Sequence, residues 1–457
     1  MLISAYQDPV NNKLSTHSLL FSGRIPNTLE GWLEWQSSIH PQEIDLGLDR
    51  VSRVLSNLGL KNPSFAVILI AGTNGKGSSV SMLESIAIQA DITVGCFTSP
   101  HIQHYGERIR ISGIDSHEEI LCQAFKEVSL AQKNISLTYF EYSFLAAMCV
   151  FSHHQVTLGV FEVGLGGRLD AVNALDADVA LVTTVDFDHQ DWLGDTLEDI
   201  GYEKSGIFRP EKDAIYADSS PPDSIRQQAT KRNASLFLWE EDYCVAVSND
   251  SWEWKFGHRT LSHLAFPALK GEVQIKNAAA VLMVIHRLCQ KFPQFSPMQE
   301  SSKINAGLQS LTLRGRFQQV TTRGLTVILD VAHNPQAAKL LARDLLKQER
   351  VKGKTLALFG IMEDKSIENV IIPLLDCIDF WYTITFIEES RAISSHQLAE
   401  KIRKTGNASV VSFDTLIAAW NQVLQQYQEL GVSRVVVFGS FLSVSGMLSI
   451  LEKQNHG

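Results

Sequence analysis

Gly72-Thr73-Asn74-Gly75-Lys76-Gly77-Ser78 packs three glycines, a lysine and two hydroxyls into seven residues. That mixture suits the holding of phosphate oxygens. Glycines let backbone N–H groups close on an anionic oxygen, and a helix that begins there adds its partial positive charge. Lys76 would rest on β- and γ-phosphates, and Ser78 would offer its hydroxyl to Mg²⁺. The common phosphate-loop pattern has glycine where this chain has Ile70, and Ser or Thr where it has Gly77. An unliganded glycine turn is the competing reading, but a tight turn has no structural use for a buried cation. Nucleotide binding is the expectation; the loop alone leaves the reaction unnamed.

Four further segments put polar groups where strands should end, the place where open α/β sheets bind ligands. In Thr98-Ser99-Pro100-His101 the proline stops regular structure and leaves the Ser99 hydroxyl in a loop, though an ordinary loop reads the same way. Glu162 closes an apolar run and precedes Gly164, Gly166 and Gly167, so its carboxylate suits Mg²⁺. Asp186, Asp188 and His189 offer two carboxylates and an imidazole in four residues. Asp330 and His333, three apart, would share one cleft wall, while Asn334-Pro335 caps the next helix. Together these describe a nucleotide site with Mg²⁺ ligands drawn from several strands. Phosphotransferase, ATPase and ligase all remain open.

The elements that must position these groups are legible as apolar runs. Residues 65–70 form a strand before the glycine-rich turn, and Val80, Leu83, Ala87 and Ala90 recur at helical spacing after it, with Glu84 and Gln89 off that face. Strands are expected at 158–163, 179–185, 326–331, 355–359, 383–387 and 435–438. Their alternation with helical patterns indicates an α/β fold. We expect a P-loop-type, mostly parallel sheet over residues 1–310 and a smaller α/β (Rossmann-like) domain over 311–457. Trp239, Trp252, Trp254 and Phe256, set among Asp, Asn and Gly, suggest antiparallel structure within 235–266. A cleft between the two domains is the natural substrate site.

At ~100–200 residues per domain, 457 residues suit two or three domains. A formal charge of -10 argues against a nucleic-acid partner and for a cytoplasmic enzyme. Six scattered cysteines without a metal-like spacing read as buried free thiols in a reducing compartment. No apolar run approaches the ~18 residues of a membrane span. Residues 1–23 lack a signal-peptide pattern and read as a loose leader.

The phosphate loop, Ser99-Pro100-His101, Glu162-Val163-Gly164-Leu165-Gly166-Gly167-Arg168-Leu169-Asp170 and Asp330-Val331-Ala332-His333-Asn334-Pro335 together resemble the folylpolyglutamate synthases of the Mur ligase superfamily. They are most similar to the bacterial bifunctional dihydrofolate synthase/folylpolyglutamate synthase family, in the same order from about Trp32 to about Gly446. The resemblance implies an ATP-dependent ligase that passes the γ-phosphate to a pterin-linked carboxylate and lets the amine of L-glutamate displace phosphate. It implies Thr73, Asn74, Gly75, Lys76, Gly77 and Ser78 around the ATP phosphates, with Asn277, Arg316 and Asp330 on the nucleotide. It further implies Ser78, Ser99 and Glu162 on one Mg²⁺, and His189 with a carbamylated Lys204 on a second. Lys76, Lys204 and His333 are then the catalytic set, with His333 and Ser440 near the incoming glutamate. On the pterin side it implies Glu43, Ile44, Asp45, Leu46, Thr138, Leu169, Asp170 and Ala171. Dihydropteroate, folates and glutamate are the small-molecule partners so implied, and a monomer is the family habit. Two departures stand out: Arg314 replaces the proline usual in the linker, and Ser366 replaces a frequent aspartate.

Two other readings compete. One is a ligase of other scope: a synthase acting on already glutamylated folates alone, or another Mur-type ligase joining an amino acid to a different acid. The other is a catalytically silent nucleotide-binding homologue, which would have no chemical need to keep Lys76, Glu162, His189, Lys204 and His333.

Overall fold

A computed structural model describes residues 26–455 except 270, 272, 349–352, 388, 390 and 407. The leader expected at 1–23 lies outside the described residues. The first sheet comprises β1 (Ala66–Ala71), β2 (Val94–Phe97), β3 (Ile109–Ile111), β4 (Ile114–Asp115), β5 (Leu158–Glu162), β6 (Val179–Val182), β7 (Asp213–Tyr216) and β8 (Ser235–Leu238). Its order is β4-β3-β2-β5-β1-β6-β7-β8, parallel from β2 through β8, with an antiparallel β2-β3-β4 edge. All of β1 is buried: Val67, Leu69 and Ala71 join the core on one face, and Ala66, Ile68 and Ile70 join the core on the other. A strand covered on both faces must be apolar throughout, which is why β1 reads as an unbroken run.

The helix Lys76–Gln89 follows β1 directly and packs beneath the helices Val273–Lys291 and Ser301–Ser310. Glu84, expected off the apolar face, is buried there. It tolerates burial because Arg110 on β3 reaches it, Nη2 to Oε2 at 2.7 Å. The tryptophan-rich segment forms an antiparallel sheet of β9 (Tyr243–Val247), β10 (Trp252–Phe256) and β11 (Arg259–Leu264). Trp254 anchors it by donating Nε1–H to Ala279 O at 3.0 Å.

After Ser301–Ser310 the chain crosses to a second sheet. Its strands are β12 (Gln318–Thr322), β13 (Leu325–Leu329), β14 (Lys354–Phe359), β15 (Phe380–Ile384), β16 (Ser409–Phe413) and β17 (Val432–Phe438), ordered β12-β13-β17-β14-β15-β16. All its pairings are parallel except β12-β13. The strand expected at 383–387 begins three residues earlier: Phe380, Trp381 and Tyr382 carry the pairing, and Ile387 lies beyond the strand, 72% exposed. All six cysteines are free; Cys96, Cys149, Cys289 and Cys377 are buried, Cys122 is half-buried, and Cys244 is exposed against expectation. No helix among the described residues is long and apolar enough to cross a membrane.

Candidate active site

The chain leaves β1 through Gly72 (φ +146°) and turns into its helix at Gly75 (φ +89°). A Cβ would stand 1.9 Å from Thr183 Oγ1 at Gly72 and 2.8 Å from Asn277 Oδ1 at Gly75, so neither position accepts a side chain. The end of β6 braces the loop: Thr183 Oγ1 donates to Asn74 O at 2.6 Å, and Thr73 Oγ1 donates to Asp186 O at 3.0 Å. Lys76 Nζ lies inside the turn, donating to Gly72 O at 2.9 Å and Thr73 O at 3.3 Å. Burial lowers its pKa, opposed by the charges of Glu162 and Asp188.

Glu162 ends β5 and is 6% exposed, its Oε2 accepting Ser99 N–H at 3.3 Å. Burial raises its pKa, against the Lys76 charge and the Ser99 hydrogen bond. A Cβ at Gly77 would lie 3.7 Å from Glu162 Oε2, so glycine after the lysine keeps space between loop and carboxylate. Lys204 ends the helix Leu197–Lys204 and is 4% exposed. Burial, then the charge of Lys76, pushes its pKa down to about 7.

These groups line one cleft of about 450 Å³. The first domain contributes Thr73, Asn74, Gly75, Lys76, Gly77, Ser78, Ser99, Glu162, His189, Lys204 and Asn277. From the linker and second domain come Arg316, Asp330, His333 and Ser440. Every residue that the resemblance assigned to nucleotide, metal or glutamate therefore meets in one place, whereas Asp186, also offered as a strand-end carboxylate, does not line the cleft and accepts Phe187 N–H at 2.7 Å. Asp330 is held by Phe317 N–H and Ala332 N–H, both at 2.8 Å, and His333 Nδ1 lies 2.8 Å from Val331 O. Asn334 also caps the helix Pro335–Lys347, accepting Ala337 N–H at 2.9 Å, so the capping and cleft readings of that motif both hold.

The donor set suits a hard cation. It is rich in oxygen, and among the described residues no three His, Cys, Asp or Glu side chains are arranged to hold a metal ion by themselves. Mg²⁺ keeps several waters and takes phosphate oxygens, needing only one or two protein carboxylates. Glu162 beside Ser78 and Ser99 meets that need.

The pterin-side residues do not line this cleft. Thr138 caps the helix Tyr139–His153 in a capping box: Glu141 N–H donates to its Oγ1 at 3.2 Å, and its own N–H donates to Glu141 Oε2 at 2.8 Å. Thr138→Ala is expected to cost about 1 kcal/mol of stability, read from the denaturant midpoint. Asp170 accepts Leu165 N–H at 2.8 Å and Val172 N–H at 3.1 Å, and burial raises its pKa to about 7 against those donors. Leu169 is half-buried and Ala171 buried beside it. Asp45 pairs with Arg50 Nη1 at 2.6 Å between half-buried Ile44 and Leu46. Glu43 faces Arg391 of the second domain at 3.8 Å.

Sequence reasoning noted Asp188 but missed that it and Lys365 join the domains here. Asp188 Oδ1 meets Lys365 Nζ at 2.8 Å, and its Oδ2 accepts Asn334 Nδ2–H at 3.3 Å, with both ion-pair side chains 10% exposed. Burial would raise the Asp188 pKa, but the His333 hydrogen bond and the charges of His189, His333 and Lys365 hold it far below the usual carboxylate range. Asp188 stood in a noted motif and Lys365 directly precedes Ser366, but nothing local links residues so far apart in sequence. Asn74 likewise spans the junction, its Nδ2–H donating to Asn334 Oδ1 at 3.2 Å.

A phosphate loop on a parallel sheet, facing a second α/β domain that supplies an acid and an imidazole, is the architecture of a two-domain nucleotide-dependent enzyme, and the family it matches makes that enzyme a ligase. The Mur ligase middle domain is matched over residues 70–285 and the Mur ligase glutamate ligase domain over 315–441. The chain is 37% identical over 430 residues to dihydrofolate synthase/folylpolyglutamate synthase of Escherichia coli, spanning 94% of this chain and 97% of that protein. It is 34% identical over 447 residues to the Haemophilus influenzae protein of the same name, spanning 94% and 99%. Among solved structures, E. coli FolC in complex with DHPP and ADP superposes with a TM-score of 0.87 at 35% identity, over 95% of this chain and all of that one. The Yersinia pestis bifunctional enzyme with AMPPNP and Mn gives 0.85 at 36%, over 94% of this chain and all of that one. This chain belongs to the Mur ligase family, and within it to the dihydrofolate synthase/folylpolyglutamate synthases.

Proposed function

We propose that this protein joins L-glutamate to dihydropteroate, forming dihydrofolate, and to tetrahydrofolates, forming folylpolyglutamates, with ATP consumed through an acyl phosphate. The observation that carries this reading is the single cleft in which phosphate-loop Lys76 and buried Glu162 and Lys204 face Arg316, Asp330, His333 and Ser440 across the domain junction. Relatives of this family are solved with ADP, with AMPPNP and Mn, and with L-glutamate.

A carboxylate reacts with an amine only after one of its oxygens has become a leaving group. Passing a phosphoryl group to it requires positioning and charge neutralisation more than covalent help. In this reading residues 73–78 wrap the ATP phosphates, with Lys76 on the moving γ-phosphoryl group. Asn277, Arg316 and Asp330 orient the nucleotide, while His333 and Ser440 receive glutamate. Ser78, Ser99 and Glu162 would hold one Mg²⁺, and His189 with Lys204, as its carbamate, a second. Bound there, Mg²⁺ supplies charge neutralisation at the phosphoryl oxygens. The second domain keeps water from the acyl phosphate by closing over it. No nucleophilic Ser or Cys is required. Glu43, Ile44, Asp45, Leu46, Thr138, Leu169, Asp170 and Ala171 are assigned to the pterin acid. The domains divide at residues 310/311, and the protein works as a cytoplasmic monomer.

The test is phosphate release with Mg-ATP and L-glutamate, comparing dihydropteroate, tetrahydrofolate and no acceptor. Glutamate-dependent release with both acceptors is expected. Release with tetrahydrofolate alone would leave a folylpolyglutamate synthase and remove the pterin-side assignments. Silence with both, with ATP still bound, would leave a ligase of another acid substrate or a non-catalytic homologue.

A further inference from the structure

The loop that presents Ser99 touches both domains. Ser99 lines the cleft, but Ile102, three residues on, packs against the core of the second sheet. Next to it Gln103 Nε2–H donates to Glu452 Oε2 on the final helix, Phe441–Asn455, at 2.9 Å. One carboxylate closes the turn between these contacts. Glu107 Oε2 accepts Ile102 N–H at 2.7 Å, while Oε1 accepts Gln103 N–H at 2.9 Å and His104 N–H at 3.1 Å. The interdomain linker adds a fourth donor, Arg314 Nη1, 3.1 Å from Oε1.

The Glu107 backbone is held as well. Its carbonyl accepts Thr98 Oγ1–H at 3.1 Å and Arg110 Nη1–H at 2.8 Å, and the same arginine grips Glu84 on the phosphate-loop helix. Four donors on a carboxylate 15% exposed make a strong, charge-assisted set. Without it, three successive amides lose their acceptor in a partly dry turn. The turn would then relax, and the same loop carries Ser99 and Pro100, which reach the cleft.

We propose that Glu107 is a positioning residue for Ser99, and that Arg314 couples this loop to the interdomain linker. The proposal rests on the assignment of Ser99 as a Mg²⁺ ligand. Glu107 touches no reacting atom and acts through the loop alone.

Mn²⁺ binding to the full chain with AMPPNP, followed by the EPR signal of free Mn²⁺, tests this without turnover. Glu107→Ala should weaken Mn²⁺ about tenfold, the usual scale for losing a partner that orients a metal ligand, while metal-free AMPPNP affinity stays at the wild-type value. Glu107→Gln, which keeps one acceptor oxygen, should recover most of that loss. Arg314→Ala should weaken Mn²⁺ about two- to threefold, as for a half-exposed ion pair. The Glu107→Ala/Arg314→Ala double variant should bind no more weakly than Glu107→Ala alone, because the arginine then has no partner to lose.

Ser99→Ala separates the two levels. Unchanged Mn²⁺ affinity in that variant removes the ligand assignment itself. A loss with Ser99→Ala but none with Glu107→Ala removes only the positioning role. Strictly additive losses in the double variant remove the coupling to the linker, and an equal loss of metal-free AMPPNP binding overturns positioning in favour of general collapse. If Glu107→Ala does not fold, Glu107→Asp, whose shorter side chain cannot reach all three amides, takes its place: wild-type Mn²⁺ affinity in it overturns the positioning role, and wild-type affinity in Arg314→Ala overturns the coupling to the linker.

Discussion

Lys76→Ala is expected to abolish phosphate release with every acceptor, by at least about a thousandfold, while the fold persists. The rate argument is electrostatic. A preorganised cation facing developing charge in a water-poor site is worth ~10²–10³ or more in rate when removed, and Lys76 is the lysine of the phosphate loop. The fold argument runs the other way: burial already lowers the Lys76 pKa, so its charge is held at a cost. Its hydrogen bonds go to Gly72 O and Thr73 O, carbonyls within the loop itself, and the loop is braced independently by Thr183 and Thr184. Turnover and thermal melting measured on the same preparation check both halves. A fully active variant would sink the phosphate-loop assignment.

Lys204→Ala is expected to lower activity strongly, with partial recovery when a small carboxylic acid such as acetate is added. A free ammonium beside Mg²⁺ would repel it, whereas a carbamate presents anionic oxygen, and an added carboxylate can stand in for that oxygen. The surroundings favour the carbamate. CO₂ adds to the neutral amine, and burial with the Lys76 charge brings the Lys204 pKa to about 7, so the neutral form prevails above that pH and disappears below it. Bicarbonate should therefore stimulate CO₂-depleted enzyme above pH 7 and do little below. The linkage has the same sign: an unfolded lysine titrates near ~10.4, so the unfolded chain binds the extra proton between about 7 and ~10.4. Stability from this group rises with pH across that window, and Lys204→Ala should flatten the rise. Wild-type rates in Lys204→Ala would take the carbamate out of the account.

Much of this cleft was legible because its parts are local. A strand, a glycine turn and a helix are specified within 25 residues around Lys76, and conformations such as Gly75 at φ +89° belong to single residues. The same holds for Glu162 at the end of β5 and for Asp330 after β13, where an apolar run simply stops. Strand ends were less legible: Phe386 and Ile387 are as apolar as Trp381, and pairing with β14 and β16, not composition, sets where β15 lies.

The sequence by itself determined the α/β class, the phosphate loop and the family, since each is written in short segments that can be read one at a time. Tertiary structure alone decided which charges find one another. Glu84 is buried instead of solvated because Arg110 reaches it, 26 residues away. Asp188 joins Lys365 across 177 residues, and Glu107 joins Arg314 across 207. An ion pair depends on a separation of a few ångströms, and only packing sets that distance, within the first domain for Glu84 and Arg110 and across the domain junction for the other two.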